Sequence, residues 1–540
     1  MPGLSEAFER IGAFVEQRLP LTHAAGGALS VTDREETLGV VVRGFADAAS
    51  GAPVRPETRF QIGSISKSFA AIVAVQEAQA GRLDVHASVN DIVPWLELPE
   101  PFGPITPHHL MTHSAGLIIG SEEAPSGLGA LSILREQRVG FAPGQRFWYS
   151  NDGWKLLGLV LEHLTRTPIH ALIQERVLEP LGMSSSVAAI TNETRTDAAT
   201  GYRTLFDDRP PRVSHPLVPA EWMPFNTADG SIVSNVLDMA AYARMLLGGG
   251  TPLIDEDGFG VLTHPVTSGP DWPTFRYAYG LWVGEEDGRR RIWHSGGMLG
   301  FTALLVTEPE EGLGCVMLLN GSGARRAAVR YALDAVRAAL AGSEPPAPVA
   351  PAQLERIPDA AAYAGTYRAR SRSFAIEPDG DGLAIVEGSI RARLQSIEDV
   401  DDTFLVDDVS LDRWRIRFGR DASGAVVEAF HGGDWLVNGG WNGDEPASPP
   451  DEWGAFPGLY RRANPWSATV RVGLRKGRLV VEWNDDVEEA LDELVPLEDG
   501  SFHVGADLWK PQWIRFDDVV DGRADRLTLN GGIYYRSFEE

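Results

Sequence analysis

Ser64 and Lys67 stand three residues apart in Gln61-Ile62-Gly63-Ser64-Ile65-Ser66-Lys67-Ser68-Phe69, at the start of an apolar helical run. On a helix that spacing puts both side chains on one face, so a hydroxyl nucleophile lies beside an amine able to take its proton. The helix start adds backbone N–H groups and the positive end of the dipole, where an attacking oxygen and a developing oxyanion are stabilised. Alone, Ser-x-x-Lys is a weak signal, because a helix cap followed by a solvated cation is spelled the same way. Lysine scarcity raises its weight. Of the 48 basic residues only Lys67, Lys155, Lys476 and Lys510 are lysines, and composition predicts about one fifth of one chance match. Arginine could not replace Lys67 in this role, since it does not deprotonate in proteins, whereas a buried lysine can.

Two further groups could complete a site. Tyr149-Ser150-Asn151 follows the turn Ala142-Pro143-Gly144-Gln145 and precedes a helix; a tyrosine oxygen near an ammonium can shuttle a proton, and an asparagine amide can orient a carbonyl. Trp293-His294-Ser295-Gly296-Gly297, with Gly300-Phe301-Thr302 after it, sets glycines behind a polar pair at a strand. Glycines there permit close approach of a substrate backbone and leave N–H groups available to an oxyanion.

The elements that must position these groups divide the chain. Helical patterns run over Ser66–Ala80, Gly153–Leu164, Met239–Leu247 and Ala327–Leu340, and alternating apolar runs lie near Leu29, Val40 and Leu304. Helices mixed with strands at both ends of this region predict an α+β sandwich whose sheet is closed by its own termini. Ser343–Pro351 (SEPPAPVAP) is a proline-rich linker, and Asp444–Pro450 a shorter one.

After the first linker the chain repeats itself. Tyr363–Arg368 (YAGTYR) returns as Phe456–Arg461 (FPGLYR), Gly382–Val386 loosely as Arg478–Val481, Leu394–Asp399 (LQSIED) as Leu494–Asp499 (LVPLED), and Phe430–Gly433 as Leu529–Gly532; Phe404 and Phe502 follow the third block. Short β-branched and aromatic runs punctuated by Gly and Asp are the pattern of antiparallel hairpins. A period of about a hundred residues exceeds any solenoid unit, so two similar small β-barrels are expected. The predicted domains are 1–343, 344–446 and 447–540.

At 540 residues the chain exceeds one hydrophobic core. Its net charge of -27 repels phosphate backbones and anionic lipid, so neither nucleic acid nor membrane is expected as a partner. A homodimer is compatible with the composition. The single cysteine, Cys315, excludes an intrachain disulfide and any multi-thiolate zinc site. The opening residues lack the basic start and unbroken apolar core of a signal peptide, and no run reaches the roughly 18 apolar residues of a membrane span; cytoplasmic residence is the expectation.

The three groups, in this order, make the chain resemble the serine β-lactamase and penicillin-binding-protein superfamily. The resemblance covers about residues 10 to 340 and is reinforced by Ile105–Leu117 (ITPHHLMTHSAGL) and Asp229–Ser234 (DGSIVS), similar to connecting motifs of its class C, esterase and D-aminopeptidase branch. It implies an antiparallel sheet flanked by helices with a helical subdomain. The chain departs from the Lys-Thr-Gly pattern at His294-Ser295-Gly296, which argues against tight binding of a carboxylate and against efficient β-lactam turnover. That histidine is similar to the His-x-Gly of D-stereospecific aminopeptidases, which also carry two lipocalin-like barrels after the catalytic domain.

The resemblance implies a D-aminopeptidase-like serine hydrolase acting on a small molecule or short peptide. Ser64, Lys67, Tyr149 and His294 would be catalytic. Ser64, Asn151, Ser295, Gly296 and Gly297 would bind substrate or oxyanion, with either Lys67 or Tyr149 as base. The alternatives are a carboxylesterase, a weak β-lactamase or DD-peptidase, and a noncatalytic peptide- or β-lactam-binding protein. No cofactor and no metal is expected: His108, His109 and His113 are taken as a structural loop, Asp379–Gly382 as a hairpin turn and Gly248–Gly250 as a helix end. The sequence has no G-x-S-x-G, which argues against an α/β-hydrolase. The acidic stretch Asn484–Glu493 could reach the cleft and meet a substrate amine.

Overall fold

Leu313–Ser322 is buried at nine consecutive positions, which in a strand requires cover on both faces, because successive side chains point opposite ways. The two faces serve different helices. Cys315, Met317 and Leu319 pack with Phe14 and Val15 of α1 (Pro2–Arg18) and with Val329, Ala332 and Val336 of α5 (Arg325–Leu340). Val316 and Leu318 join a second core with Ile72 and Val73 of α2 (Ser66–Gln79) and Met239 and Tyr242 of α4 (Val236–Leu247). Each such side chain, fully withdrawn from water, contributes roughly 1.5–3 kcal/mol.

This strand is β9 of a nine-stranded antiparallel sheet. The others are β1 (His23–Thr32), β2 (Thr37–Asp47), β3 (Ala52–Pro53), β4 (Thr267–Ser268), β5 (Phe275–Tyr277), β6 (Trp282–Glu286), β7 (Arg289–Met298) and β8 (Phe301–Glu308), in the order β3-β2-β1-β9-β8-β7-β6-β5-β4. β1 pairs with β9, Leu29 opposite Met317, and Phe14 of α1 stacks on Tyr331 of α5 at 4.4 Å. The two ends of its own sequence thus meet as neighbouring strands inside the sheet, which stays open at β3 and β4 rather than closing. α2 has 11 of its 14 residues buried. A helix covered nearly all round belongs in the centre of a domain; Lys67 lies in its first turn and Ser64 in the turn just before it.

The structure describes residues 2–537 apart from 121–125, 270–272, 324, 352, 371, 398–399, 445, 447 and 484–490. The chain falls into two units: Met1–Arg203, Leu217–Ala350 and Trp509–Pro511 form the first; Thr204–Pro216, Pro351–Leu508 and Gln512–Glu540 form the second. Among the described residues no helix is long and apolar enough to cross a membrane.

The second unit contains two closed eight-stranded antiparallel barrels, Gly365–Val437 and Gly458–Arg536. The repeat seen in the sequence is reproduced to the hydrogen bond. Tyr367 donates its hydroxyl to the Tyr363 carbonyl at 2.9 Å, and Tyr460, its counterpart, donates to Phe456 at 2.6 Å. Side chains fill both interiors, Phe404 and Leu394 in one and Phe502 and Leu494 in the other; Glu398 and Asp399 of the first repeat block lie outside the described residues. Asp379 pairs with Gly382 across a two-residue turn, the expected hairpin. Within this unit Asp412, fully buried, accepts from Arg209 and Arg212, each at 2.7 Å, and meets His215 at 3.1 Å. Those three cationic or ionisable groups all come from Thr204–Pro216.

Candidate active site

Ser64 occupies a tight 3-10 turn, Gly63–Ile65, that leads into α2. Two glycines make the turn and its neighbour strand compatible. Gly63 has φ +53°, and a Cβ there would meet the Gly297 backbone at 2.6 Å; a Cβ on Gly296 would fall 1.8 Å from the Ile62 carbonyl oxygen. β7 therefore lies against the nucleophile turn as closely as backbone permits. Gly297, by contrast, is exposed, and a Cβ there would meet nothing within 4 Å.

Lys67 is fully buried. Its Nζ lies 2.9 Å from Ser64 Oγ, 2.8 Å from Asn151 Oδ1 and 2.9 Å from the Asp229 carbonyl, so an ammonium here has three acceptors for three protons. The carbonyl partner is aimed by its own turn: Ser231 Oγ accepts the Thr227 N–H at 2.6 Å and donates to the Thr227 carbonyl at 2.7 Å. Ile232 ties the same turn to the nucleophile segment, accepting the Ile62 N–H and donating to Ser66 Oγ. Ser150 caps α3 (Asn151–Thr165), its hydroxyl accepting the Gly153 N–H at 3.0 Å. That cap fixes Tyr149 just before the helix, its ring centroid 5.0 Å from Lys67 Nζ, and Asn151 in the first helical position.

His294 is one ring further back. It is 2% exposed; Nε2 meets the Tyr277 hydroxyl at 2.9 Å and Nδ1 the Ser295 carbonyl. A carbonyl can only accept, so Nδ1 carries the proton and Nε2 accepts from Tyr277. Burial, reinforced by the Lys67 charge and opposed by the Ser295 carbonyl, pushes the imidazole down to about 3. It is neutral in any physiological buffer. Tyr277, raised well above the usual phenol range by burial, lies between His294 and Tyr149, its ring 6.4 Å from that of Tyr149.

The structure thus gathers Ser64, Lys67, Tyr149 and Asn151 at one point and lays Ser295, Gly296 and Gly297 along the adjoining strand, with His294 reaching them through Tyr277. Two contributors were missed. The Asp229 group is a backbone carbonyl, although DGSIVS marked its position; Tyr277 had no local motif.

The histidines expected to be structural have structural partners. Thr106 caps Pro107–Met111 in a reciprocal box with His109, and His108 Nδ1 meets the Tyr279 hydroxyl at 2.8 Å while burial pushes its ring down to about 4. Among the described residues no group of three or more His, Cys, Asp or Glu could hold a metal ion. Asn484–Ala490 of the acidic stretch lie outside the described residues. Trp509, which groups with the first unit, packs edge-on against Trp148 at 5.7 Å.

The Beta-lactamase family model matches residues 11–339, and the chain belongs to that family. With the barrels it is a member of the serine β-lactamase and penicillin-binding-protein superfamily, whose chemistry is that of serine hydrolases. It is similar to Protein Rv1367c of Mycobacterium tuberculosis, 29% identical over 273 residues that cover 44% of this chain and 65% of that protein; the chain thus spans a little under two thirds of that relative's length. Among solved structures it is similar to the octameric penicillin-binding protein homologue from Pyrococcus abyssi, with TM-score 0.59 and 25% identity over 80% of this chain and 99% of that one. It also shares its fold with a D-stereospecific amidohydrolase from Streptomyces sp., with TM-score 0.50 and 19% identity over 63% and 99%.

Proposed function

We propose that the protein hydrolyses amide or ester bonds of small molecules or short peptides through an acyl-enzyme on Ser64, with the preference of a D-aminopeptidase-like amidase. The observation that carries this reading is the buried Lys67 amine held 2.9 Å from the Ser64 hydroxyl and beneath the Tyr149 ring. In the neutral amine the Ser64 contact runs in reverse, with O–H donating to the nitrogen lone pair. As Ser64 Oγ bonds to the substrate carbonyl carbon, its proton passes to Lys67 or Tyr149. The carbonyl oxygen becomes an oxyanion facing the Ser64 and Gly297 N–H groups. Collapse breaks the C–N or C–O bond, and the same relay returns the proton to the leaving group. Water then attacks the ester and frees Ser64.

On this reading residues 1–343 form the hydrolase domain and 344–446 and 447–540 the two barrels. Asn151, whose side-chain oxygen holds Lys67, would face the acyl group with its amide. The neutral His294 supports substrates without a carboxylate beside the scissile bond, which favours an amidase or an esterase over a DD-peptidase. The octameric relative supports assembly into a homo-oligomer.

The test is hydrolysis of a D-alanine anilide, a short-chain nitrophenyl ester and a cephalosporin by the native protein and Ser64→Ala. Ser64-dependent cleavage of the D-anilide with little of its L-form is the expected result. Ester cleavage alone would make the protein an esterase, and no Ser64-dependent turnover or acylation of any probe would leave it a binding protein.

A further inference from the structure

His113 touches neither Ser64 nor Lys67, yet it grips the residue between them and the helix behind. Its carbonyl accepts the Trp148 N–H at 2.7 Å and its ring Nδ1 accepts the Ser150 N–H at 2.9 Å. Those are the two residues flanking Tyr149. Between the two bonds the imidazole lies against the phenol itself, centroids 4.0 Å apart and planes inclined by 30°. The same ring is 4.7 Å from Tyr277, which holds His294, so one side chain borders both aromatic partners of the site.

Two features give this arrangement a local cost. His113 has φ +53°, a left-handed conformation uncommon for residues other than Gly, although His, Asn and Asp enter it more readily than most. The ring is also wholly buried, and because Nδ1 accepts from Ser150 the proton resides on Nε2, which has no hydrogen-bond partner among the described residues. A buried donor left without a partner destabilises the fold. An apolar ring would avoid that cost but could not accept from Ser150.

We propose that His113 is a positioning residue for the hydrolysis: it clamps the backbone on both sides of Tyr149 and stacks on the phenol, fixing the hydroxyl in the proton path between Ser64 and Lys67. The inference rests on the hydrolase reading given above. The imidazole is kept neutral, first by burial and then by the neighbouring Lys67.

The experiment compares the native protein with His113→Asn, which tolerates the left-handed backbone but lacks the ring, each alone and combined with Tyr149→Phe. In His113→Asn kcat on the cleaved probe falls by roughly 10- to 100-fold, the cost of misplacing a catalytic group by about 1 Å, while KM changes less than about twofold. In the Tyr149→Phe background the same substitution changes kcat little, because the group it positions is already gone. An unchanged kcat in folded His113→Asn, or an equal loss in both backgrounds, would overturn the proposal. Should His113→Asn not fold, His113→Gly, which also suits the backbone, is read in the same way. A crystal structure of the variant tests the clamp without activity. If the native protein shows no Ser64-dependent turnover the hydrolase reading falls, whereas a Tyr149 ring still 5.0 Å from Lys67 Nζ overturns the clamp alone.

Discussion

Asn151 Oδ1 accepts a hydrogen bond from Lys67 Nζ at 2.8 Å, across 84 positions of sequence. With Ser64 Oγ and the Asp229 carbonyl it forms a three-point socket around one nitrogen, and a socket of that shape discriminates between cations. Lys67→Arg keeps the charge but brings a planar fork that neither matches three acceptors around a point nor deprotonates. We expect its kcat on the cleaved probe to fall at least about 10³-fold, in the range of lost acid–base catalysis. A loss under tenfold would remove Lys67 from the proton path.

Gly296 and Gly297 are adjacent but should respond oppositely to a methyl group. Alanine at 296 would place Cβ 1.8 Å from the Ile62 oxygen, whereas alanine at 297 meets open space. Thermal melts should show Gly296→Ala strongly destabilised or unfolded, and Gly297→Ala within about 0.5 kcal/mol of the native protein.

His294 and His431, pushed down to about 3 and about 4 by burial, are neutral in the folded chain and ordinary, with a pKa of 6.5, when it unfolds. The unfolded state therefore binds more protons below 6.5, and the stabilising effect of neutrality, complete above that pH, is lost as pH falls toward 4 and then 3. Tm should drop over that window. His294→Gln should flatten part of the drop, and an identical slope in the variant would refute the assignment.

Glu77, fully buried, accepts from Arg82 at 2.7 Å and from Arg176. The Arg82 hydrogen bond first, then that of Arg176, outweigh burial and bring its carboxyl from 4.5 to about 2. Its contribution is present above pH 4.5 and is lost as pH falls toward 2. Glu77→Gln should cost roughly 2–3 kcal/mol in denaturant unfolding near neutral pH, less than a fully buried pair because both arginines reach solvent. It should cost little near pH 2.

Legibility in the sequence followed contact range. Ser64 and Lys67 could be paired from spacing, because a helix turns three residues into neighbours. Tyr149 could not; only the order of motifs brought it in. Tyr277 reaches His294 across β5, β6 and β7, a side-chain contact with no local signature, and Asp229 acts through its backbone, which any residue supplies. Helix starts were set late: the patterns begin at Gly153 and Met239, while the helices begin at Asn151 and Val236. The caps Ser150 and Asn235 precede the first apolar repeat, so periodicity alone starts counting too late. The barrel repeat was visible because Tyr367 and Tyr460 make the same short-range bond. Nothing in Leu205–Pro216 (LFDDRPPRVSHP) separates it from an ordinary polar loop, since its partner Asp412 is 203 residues from Arg209.

That last distance is also an interval of time. At about 5–20 residues per second of synthesis, Arg209 leaves the ribosome with Asp208 beside it but roughly 10–40 s before its second carboxylate, Asp412, exists. The sequence can be complete to Leu340 while the loop within it still waits for Asp412. Expression of residues 1–343 alone makes that wait permanent.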